Sequence, residues 1–211
     1  MSSGREVLKT LKGNSHPGFS IPVGNPVQGF LRPVVTAAGK VNANDVRVLT
    51  EWRNRFVRSF LTEFEATEAR TQSWLTDVVG PDETRILFML DDPNGRTIGY
   101  LGLAFIDWEN RTGEADAIVR GVDHLPGIMT KALLALLRWA HCELGLTSAL
   151  NVRVRSDNPA VHFYLKLGTE TRRVPLREIE ESGMTRWVED ESLTGSSTQL
   201  VYITFHPHLY E

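Results

Sequence analysis

Between Gly127 and Gly145 the apolar residues Met129, Leu133, Leu136, Leu137, Ala140 and Leu144 recur at intervals of three and four, and no other stretch constrains the fold so tightly. The spacing predicts one long helix with a single apolar face, stopped by Gly145. Such a face needs a broad apolar surface to lie on, and the preceding residues supply it. Residues 85–90 form a continuous apolar run, 91–95 a turn, 97–106 a second strand, 110–113 another turn, and 114–119 a third strand with Glu114 and Asp116 on one face. The predicted frame is three antiparallel strands backed by a helix.

Beyond the long helix, Leu150, Val152 and Val154 alternate with Asn151, Arg153 and Arg155, which predicts a strand with one buried face and an arginine-bearing solvated face. A helix from Asp157 or Asn158 to Gly168 follows. Residues 170–176 and 199–205 read as strands, separated by a charged stretch that contains Gly183, Trp187 and the polar run 194–198. Upstream, residues 30–35 read as a short strand. Asn44 or Asp45 caps a helix carrying Val48, Leu49, Trp52, Phe56 and Phe60 on one face. A second helix starts near Thr67 or Thr71, includes Trp74, Leu75 and Val78, and ends at Gly80 and Pro81. Glycines and prolines crowd residues 1–29, which predicts a poorly structured N-terminal arm ahead of one domain over 30–211.

Composition narrows the function. A chain of 211 residues with 41% hydrophobic content fills one core. A net charge of −3 without a long basic run argues against a nucleic-acid partner. The single cysteine, Cys142, excludes an internal disulfide framework and fits a reducing compartment. No apolar run approaches the roughly 18 residues of a membrane span, and the N-terminus lacks a secretory pattern, so a cytoplasmic protein without a membrane partner is expected. Only His206 and His208 among the histidines lie close together, so no metal site is expected.

Two stretches carry chemistry: residues 124–131, His-Leu-Pro-Gly-Ile-Met-Thr-Lys, and residues 158–168, Asn-Pro-Ala-Val-His-Phe-Tyr-Leu-Lys-Leu-Gly. A glycine-containing turn feeding a helix leaves amide groups unpaired at the positive end of the helix dipole, which suits a pyrophosphate without any basic side chain.

Together these residues resemble the GCN5-related N-acetyltransferase (GNAT) superfamily over residues 31–205. In that family's acyl-coenzyme A loop, Gln or Arg is followed after two residues by Gly and then, after one more, by Gly or Ala. His124, Gly127 and Met129 stand at those positions, and only Gly127 matches outright. Asn158, Ala160, Phe163, Tyr164, Lys166, Leu167 and Gly168 reproduce the family's asparagine-to-tyrosine helix, with Thr169 where Phe is usual. Trp52-Arg53-Asn54, residues 99–102 (Gly-Tyr-Leu-Gly) and Ala115 beside Glu114 look like the branch that acylates amino sugars or protein termini. Val174-Pro175-Leu176 with Gly183 and Trp187 look like its sugar-directed members.

The resemblance implies an α/β (α+β) fold, a single domain with a mixed, mostly antiparallel twisted sheet flanked by helices. It also implies an N-acyltransferase that takes its acyl group from acetyl-CoA or another short acyl-CoA. The expected acceptor is a nucleotide-linked amino sugar; the alternatives are a protein N-terminal amine, another small amine, or a non-catalytic CoA-binding domain of the same fold. Amide formation from a thioester needs a deprotonated amine, a stabilised oxyanion and a proton for the leaving thiolate. Tyr164 is the candidate proton donor, and Glu114 the candidate base, with Asp116 or Asp107 as alternatives. Ile118, Val119 and Arg120 would offer main-chain groups to the pantetheine, and Gly127, Ile128, Met129 and Thr130 amides and a hydroxyl to the pyrophosphate, with Asn158 completing the cofactor-binding set. His141 and His162 read as packing or surface residues. Five tryptophans and the polar C-terminal insert supply material for an acceptor pocket or a homodimer interface.

Overall fold

The computed structural model describes residues 3–14, 16–123 and 125–211. Ten strands form one sheet in the order β1-β2-β4-β5-β6-β7-β10-β8-β9-β3. They are β1 (Ile21–Val23), β2 (Gly29–Pro33), β3 (Thr62–Glu63), β4 (Ile86–Asp91), β5 (Thr97–Asp107), β6 (Thr112–Arg120), β7 (Ala149–Arg155), β8 (Gly168–Glu181), β9 (Met184–Glu189) and β10 (Gln199–Phe205). Every adjacent pair is antiparallel except β6 and β7. The expected mixed, mostly antiparallel sheet flanked by helices is what the chain adopts.

The sheet is buried on both faces, which explains the continuous apolar run in β4. Ile86, Phe88 and Leu90 point into one core together with Leu133, Leu136, Leu137 and Ala140 of α4 (Ile128–Leu144). Leu87 and Met89 point into a second core with Val46, Leu49 and Trp52 of α2 (Ala43–Arg55). Strand side chains alternate, so one run of apolar residues serves two layers. Helix α2 is capped by Asn42, two residues before the expected cap, whose side chain accepts from the amides of Asn44 and Asp45. The next helix, α3 (Glu68–Ser73), is capped by Thr67 and passes into a π-helical stretch, Trp74–Val79, that ends at Gly80 as expected. Helix α5 (Ala160–Tyr164) is shorter than the motif suggested, because tight turns carry the chain from Tyr164 to Gly168.

The reading of residues 1–29 as poorly structured needs correction over two segments. Helix α1 (Gly4–Lys12) is capped by Ser3 and buries Leu8 and Leu11 in the core under α4, and β1 pairs with β2. Burial of two leucines supplies about 1.5–3 kcal/mol each, enough to hold a short helix that would not persist alone. Lys12 fixes it further: its buried Nζ donates to the carbonyls of Val79 at 3.0 Å and Asp82 at 2.6 Å, which docks α1 onto the end of the π-helical stretch.

Two other elements depart from the sequence reading. The charged stretch after β8 is itself a strand, β9, turned back at Ser182 and Gly183, which both take positive φ. Phe60 is not on the face of α2, because the helix ends at Arg55 and a short 3₁₀ turn, Val57–Ser59, carries the chain into β3. Strand β3 pairs with β9, so the 57–64 segment is pinned by the C-terminal hairpin.

Candidate active site

The site arises where two parallel strands part. β6 and β7 run side by side only over Thr112–Glu114 and Ala149–Asn151. Past those residues β6 continues against β5 and β7 against β10, so a gap opens between them. A bulge bends β6 there: Gly102 faces Asp116 and Tyr100 faces Val119, which leaves Ala117 and Ile118 opposite the single residue Leu101. Ala117 takes φ 51°, a left-handed conformation that costs a non-glycine residue about 1–3 kcal/mol. The gap is a cavity of about 540 Å³ whose walls include Glu114–Arg120, Val152–Arg155, Asn158 and Tyr164. It thus brings together six of the expected site residues: Glu114, Ile118, Val119, Arg120, Asn158 and Tyr164.

Tyr164 reaches the cavity from α5 and is 6% exposed, edge-on to Phe163 and Phe205. Its hydroxyl has no hydrogen-bond partner among the described residues. Burial pushes the phenol well above its ordinary range, and the charge of Asp116 pushes the same way, so the proton is firmly held. Asn158 stands two residues before α5, its side-chain oxygen accepting from the Ala160 amide at 2.9 Å, while its Nδ2 donates to the Ser59 carbonyl at 3.4 Å.

The two carboxylates of β6 have different settings. Glu114, expected as the base, accepts from Arg153 Nε at 2.6 Å, in an ion pair whose side chains are about one-fifth exposed. Burial raises its pKa and Arg153 opposes the rise. Asp116 has no hydrogen bond or ion pair among the described residues, and its charge is felt by Tyr164, Tyr100 and Arg53. Asp107 is drawn into its own turn, where its carboxylate accepts from the Glu109 and Asn110 amides. The solvated arginine face expected on β7 is not solvated: Arg155 is 5% exposed, paired with Glu63 and Asp157 at 2.7 Å each, and its guanidinium lies over Trp187.

At the start of α4, Gly127 has φ 76° and no side chain caps the helix. The Ile128 amide donates to the Leu125 carbonyl, and the first helical bond runs from the Lys131 amide to the Gly127 carbonyl. That leaves the amides of Met129 and Thr130 unpaired among the described residues. The side chains of Ile128 and Met129 turn inward: Ile128 is core, and the Met129 sulfur lies 3.2 Å from where a Cβ on Gly99 would stand. Lys131 spends its ammonium on Gln28 at 2.7 Å. Residues 127–130 do not line the cavity, so the structure places the expected cradle and the phenol apart. His124 lies outside the described residues.

A second chamber of about 450 Å³ adjoins the first, sharing Phe60, Thr62, Arg85, Asp116 and Ala117 with it. Of the triad Trp52-Arg53-Asn54, Arg53 lines its wall, and the other two hold wall residues Tyr100 and Ala66. Trp52 stacks on Tyr100 with ring centroids 6.1 Å apart and fills the space a side chain on Gly121 would need. Asn54 clamps Ala66 through both its amide and its carbonyl, at 3.0 and 2.7 Å. Arg53 stands between them, with its guanidinium over Phe60. The sequence marked this triad only by its likeness to a branch of a family; the placing of Arg53, Arg85 and Phe60 around one chamber depends on side chains brought together from α2, the residue before β4 and the segment leading into β3.

The family model of the acetyltransferase (GNAT) domain matches residues 39–170, well over half of the chain. The chain belongs to this family. As a GNAT member it is an acyl-coenzyme A-dependent N-acetyltransferase. No curated protein matches it. Among solved structures, a chimera of spermidine N-acetyltransferase SpeG from Vibrio cholerae and hSSAT superposes with a TM-score of 0.60 at 18% identity, over 87% of this chain and 98% of that one. The Vibrio cholerae spermidine N-acetyltransferase in complex with CoA and spermine gives a TM-score of 0.59 at 18% identity, over 84% and 96%. Apo FdhC, a nucleotide-linked sugar GNAT, gives 0.62 at 15% identity, over 91% and 92%. At such identities these three share the GNAT fold with this chain. Among the described residues, no helix is long and apolar enough to cross a membrane.

Proposed function

We propose that this GNAT transfers the acyl group of a short acyl-CoA, such as acetyl-CoA, directly to the primary amine of a nucleotide-linked amino sugar, with Tyr164 and Asp116 as the catalytic pair. One observation carries the reading: an unbonded phenol and an unpaired carboxylate face the same gap between β6 and β7.

The residues present fit coenzyme A. The main chain of Ile118–Arg120, from the bulge onward, is available to the pantetheine amides, with Asn158 at the same wall, and the unpaired Met129 and Thr130 amides behind the left-handed Gly127 are available to the pyrophosphate. Ile128 contributes its place in the turn rather than its amide. When bound, acyl-CoA supplies a thioester to the amine. Asp116 takes the proton the ammonium must lose, because its carboxylate is unpaired and lies at the junction of the two chambers. Glu114 holds Arg153 and shapes the wall. Tyr164 keeps a proton on its hydroxyl for the thiolate sulfur, since burial opposes its loss.

The acceptor reading is supported by the second chamber, whose aromatic walls at Phe60, Phe64 and Trp74 offer stacking surfaces and whose charged groups are mostly arginines. The test is release of free thiol from acetyl-CoA with a panel of amines. Turnover with at least one amino sugar is expected, and Tyr164→Phe should lower kcat about 10²-fold, the scale of a positioned proton donor. A Tyr164→Phe enzyme with unchanged kcat would remove the phenol from the reaction, and silence with every amine would remove the transferase reading.

A further inference from the structure

The second chamber holds a positive charge that the protein leaves without a counter-ion. Arg53 is half-buried at the end of α2, its guanidinium 3.8 Å from the centroid of Phe60 and 4.8 Å from that of Phe64. Nη2 donates to the carbonyl and hydroxyl of Thr62, while Nη1 is sealed from solvent with no hydrogen-bond partner among the described residues. Desolvation outweighs every neighbouring charge and pulls this guanidinium down to about 10. The acidic groups whose charge reaches it are engaged elsewhere or reserved: Glu63 accepts from Arg155 at 2.7 Å and Trp187 at 2.9 Å, and Asp116 serves the amine.

Two more cations share the walls. Arg85, whose Nε is sealed without a hydrogen bond, has a counter-ion in Asp82 at 3.6 Å, and the Arg70 guanidinium lies 4.3 Å from the centroid of Phe64, so that ring is flanked by two arginines. Three guanidinium groups thus line the chamber against one carboxylate, Asp116. A polycationic amine entering it would meet net repulsion, whereas an anionic group would be drawn to the guanidinium charge of Arg53, which no carboxylate pairs among the described residues.

We infer that the acceptor is anchored by an anionic oxygen group, phosphate or carboxylate, received by Arg53 beside Phe60 and Phe64, with its amine directed towards Asp116. The inference deepens the transfer reading above and rests on it for the word acceptor. The geometry selects for amines that carry negative charge and against polyamines.

Calorimetry on the full chain with coenzyme A present reads the inference without turnover, using glucosamine 6-phosphate against glucosamine for the phosphate and γ-aminobutyrate against butylamine for the carboxylate. The anionic member of at least one pair should bind about tenfold tighter, as expected for charge-assisted hydrogen bonds to a desolvated guanidinium, and spermidine should bind weakest. Which pair shows the preference tells phosphate from carboxylate. Arg53→Gln should abolish the preference and Arg53→Lys should keep part of it. Equal affinities within both pairs, or tightest binding by spermidine, would overturn the inference even if amines are acylated. An anion preference without thiol release would instead leave the anchoring intact and remove the transfer reading.

Discussion

At the residue scale, the two carboxylates of β6 make different predictions. Asp116→Asn should lower kcat by about 10² or more, with little loss of stability, because it removes an unpaired base. Glu114→Gln should leave kcat closer to wild type but lower stability by about 1–3 kcal/mol, because the half-buried Arg153 loses a charged partner at 2.6 Å. Chemical denaturation and steady-state rates on the two variants check this, and a larger kcat loss at Glu114 would return the base role to it. For pH, the reactive form of Tyr164 is protonated and its pKa is raised above the ordinary value near 10, so its contribution is lost only above that value. The profile of kcat/KM should therefore rise as the amine deprotonates and show no alkaline fall below about pH 10. The role proposed for Tyr164 could be put forward from the sequence because the residue belongs to a contiguous motif. The choice between Glu114 and Asp116 was not, since it depends on Arg153 from another strand; nor was Arg53, whose isolation is a fact of tertiary burial.

At the element scale, the local signals that held were those carried by periodicity and by glycine. The apolar face of α4 and its stop at Gly145, which takes φ 72°, could be read directly. Strands β3 and β9 could not, because a two-residue strand and a charged hairpin arm exist through pairing with distant partners. The same applies to the parting of β6 and β7, which arises from their separate pairing with β5 and β10. Two glycines separate backbone from packing. Gly127→Ala meets open space and only the cost of φ 76°, so a loss of about 1–2 kcal/mol is expected, with a raised KM for acyl-CoA. Gly121→Ala would place its Cβ 2.1 Å from the Trp52 ring and should cost more, through displaced packing around Tyr100. Melting curves that ranked the two in the opposite order would contradict this account of the Trp52 stack.

At the scale of the whole molecule, one sheet separates two cores, and α1 with β1 extends the first of them well before the long-helix region begins. Averaging over residues 1–29 hid this, because the glycines and prolines lie mostly outside the short segment 4–12, where Val7, Leu8 and Leu11 share a face. Leu8→Ala should therefore destabilise the protein by about 2–5 kcal/mol, the range for a fully buried leucine, whereas a loose arm would show no change. The central claim is that acyl-CoA reaches from the amides at the start of α4, which lie outside the cavity, into the gap between β6 and β7 as far as Tyr164. A crystal structure of the protein with coenzyme A tests it most directly. It should show the pyrophosphate hydrogen-bonded to the Met129 and Thr130 amides and the sulfur within reach of the Tyr164 hydroxyl; a coenzyme bound away from the start of α4, or with its sulfur far from that hydroxyl, would contradict it.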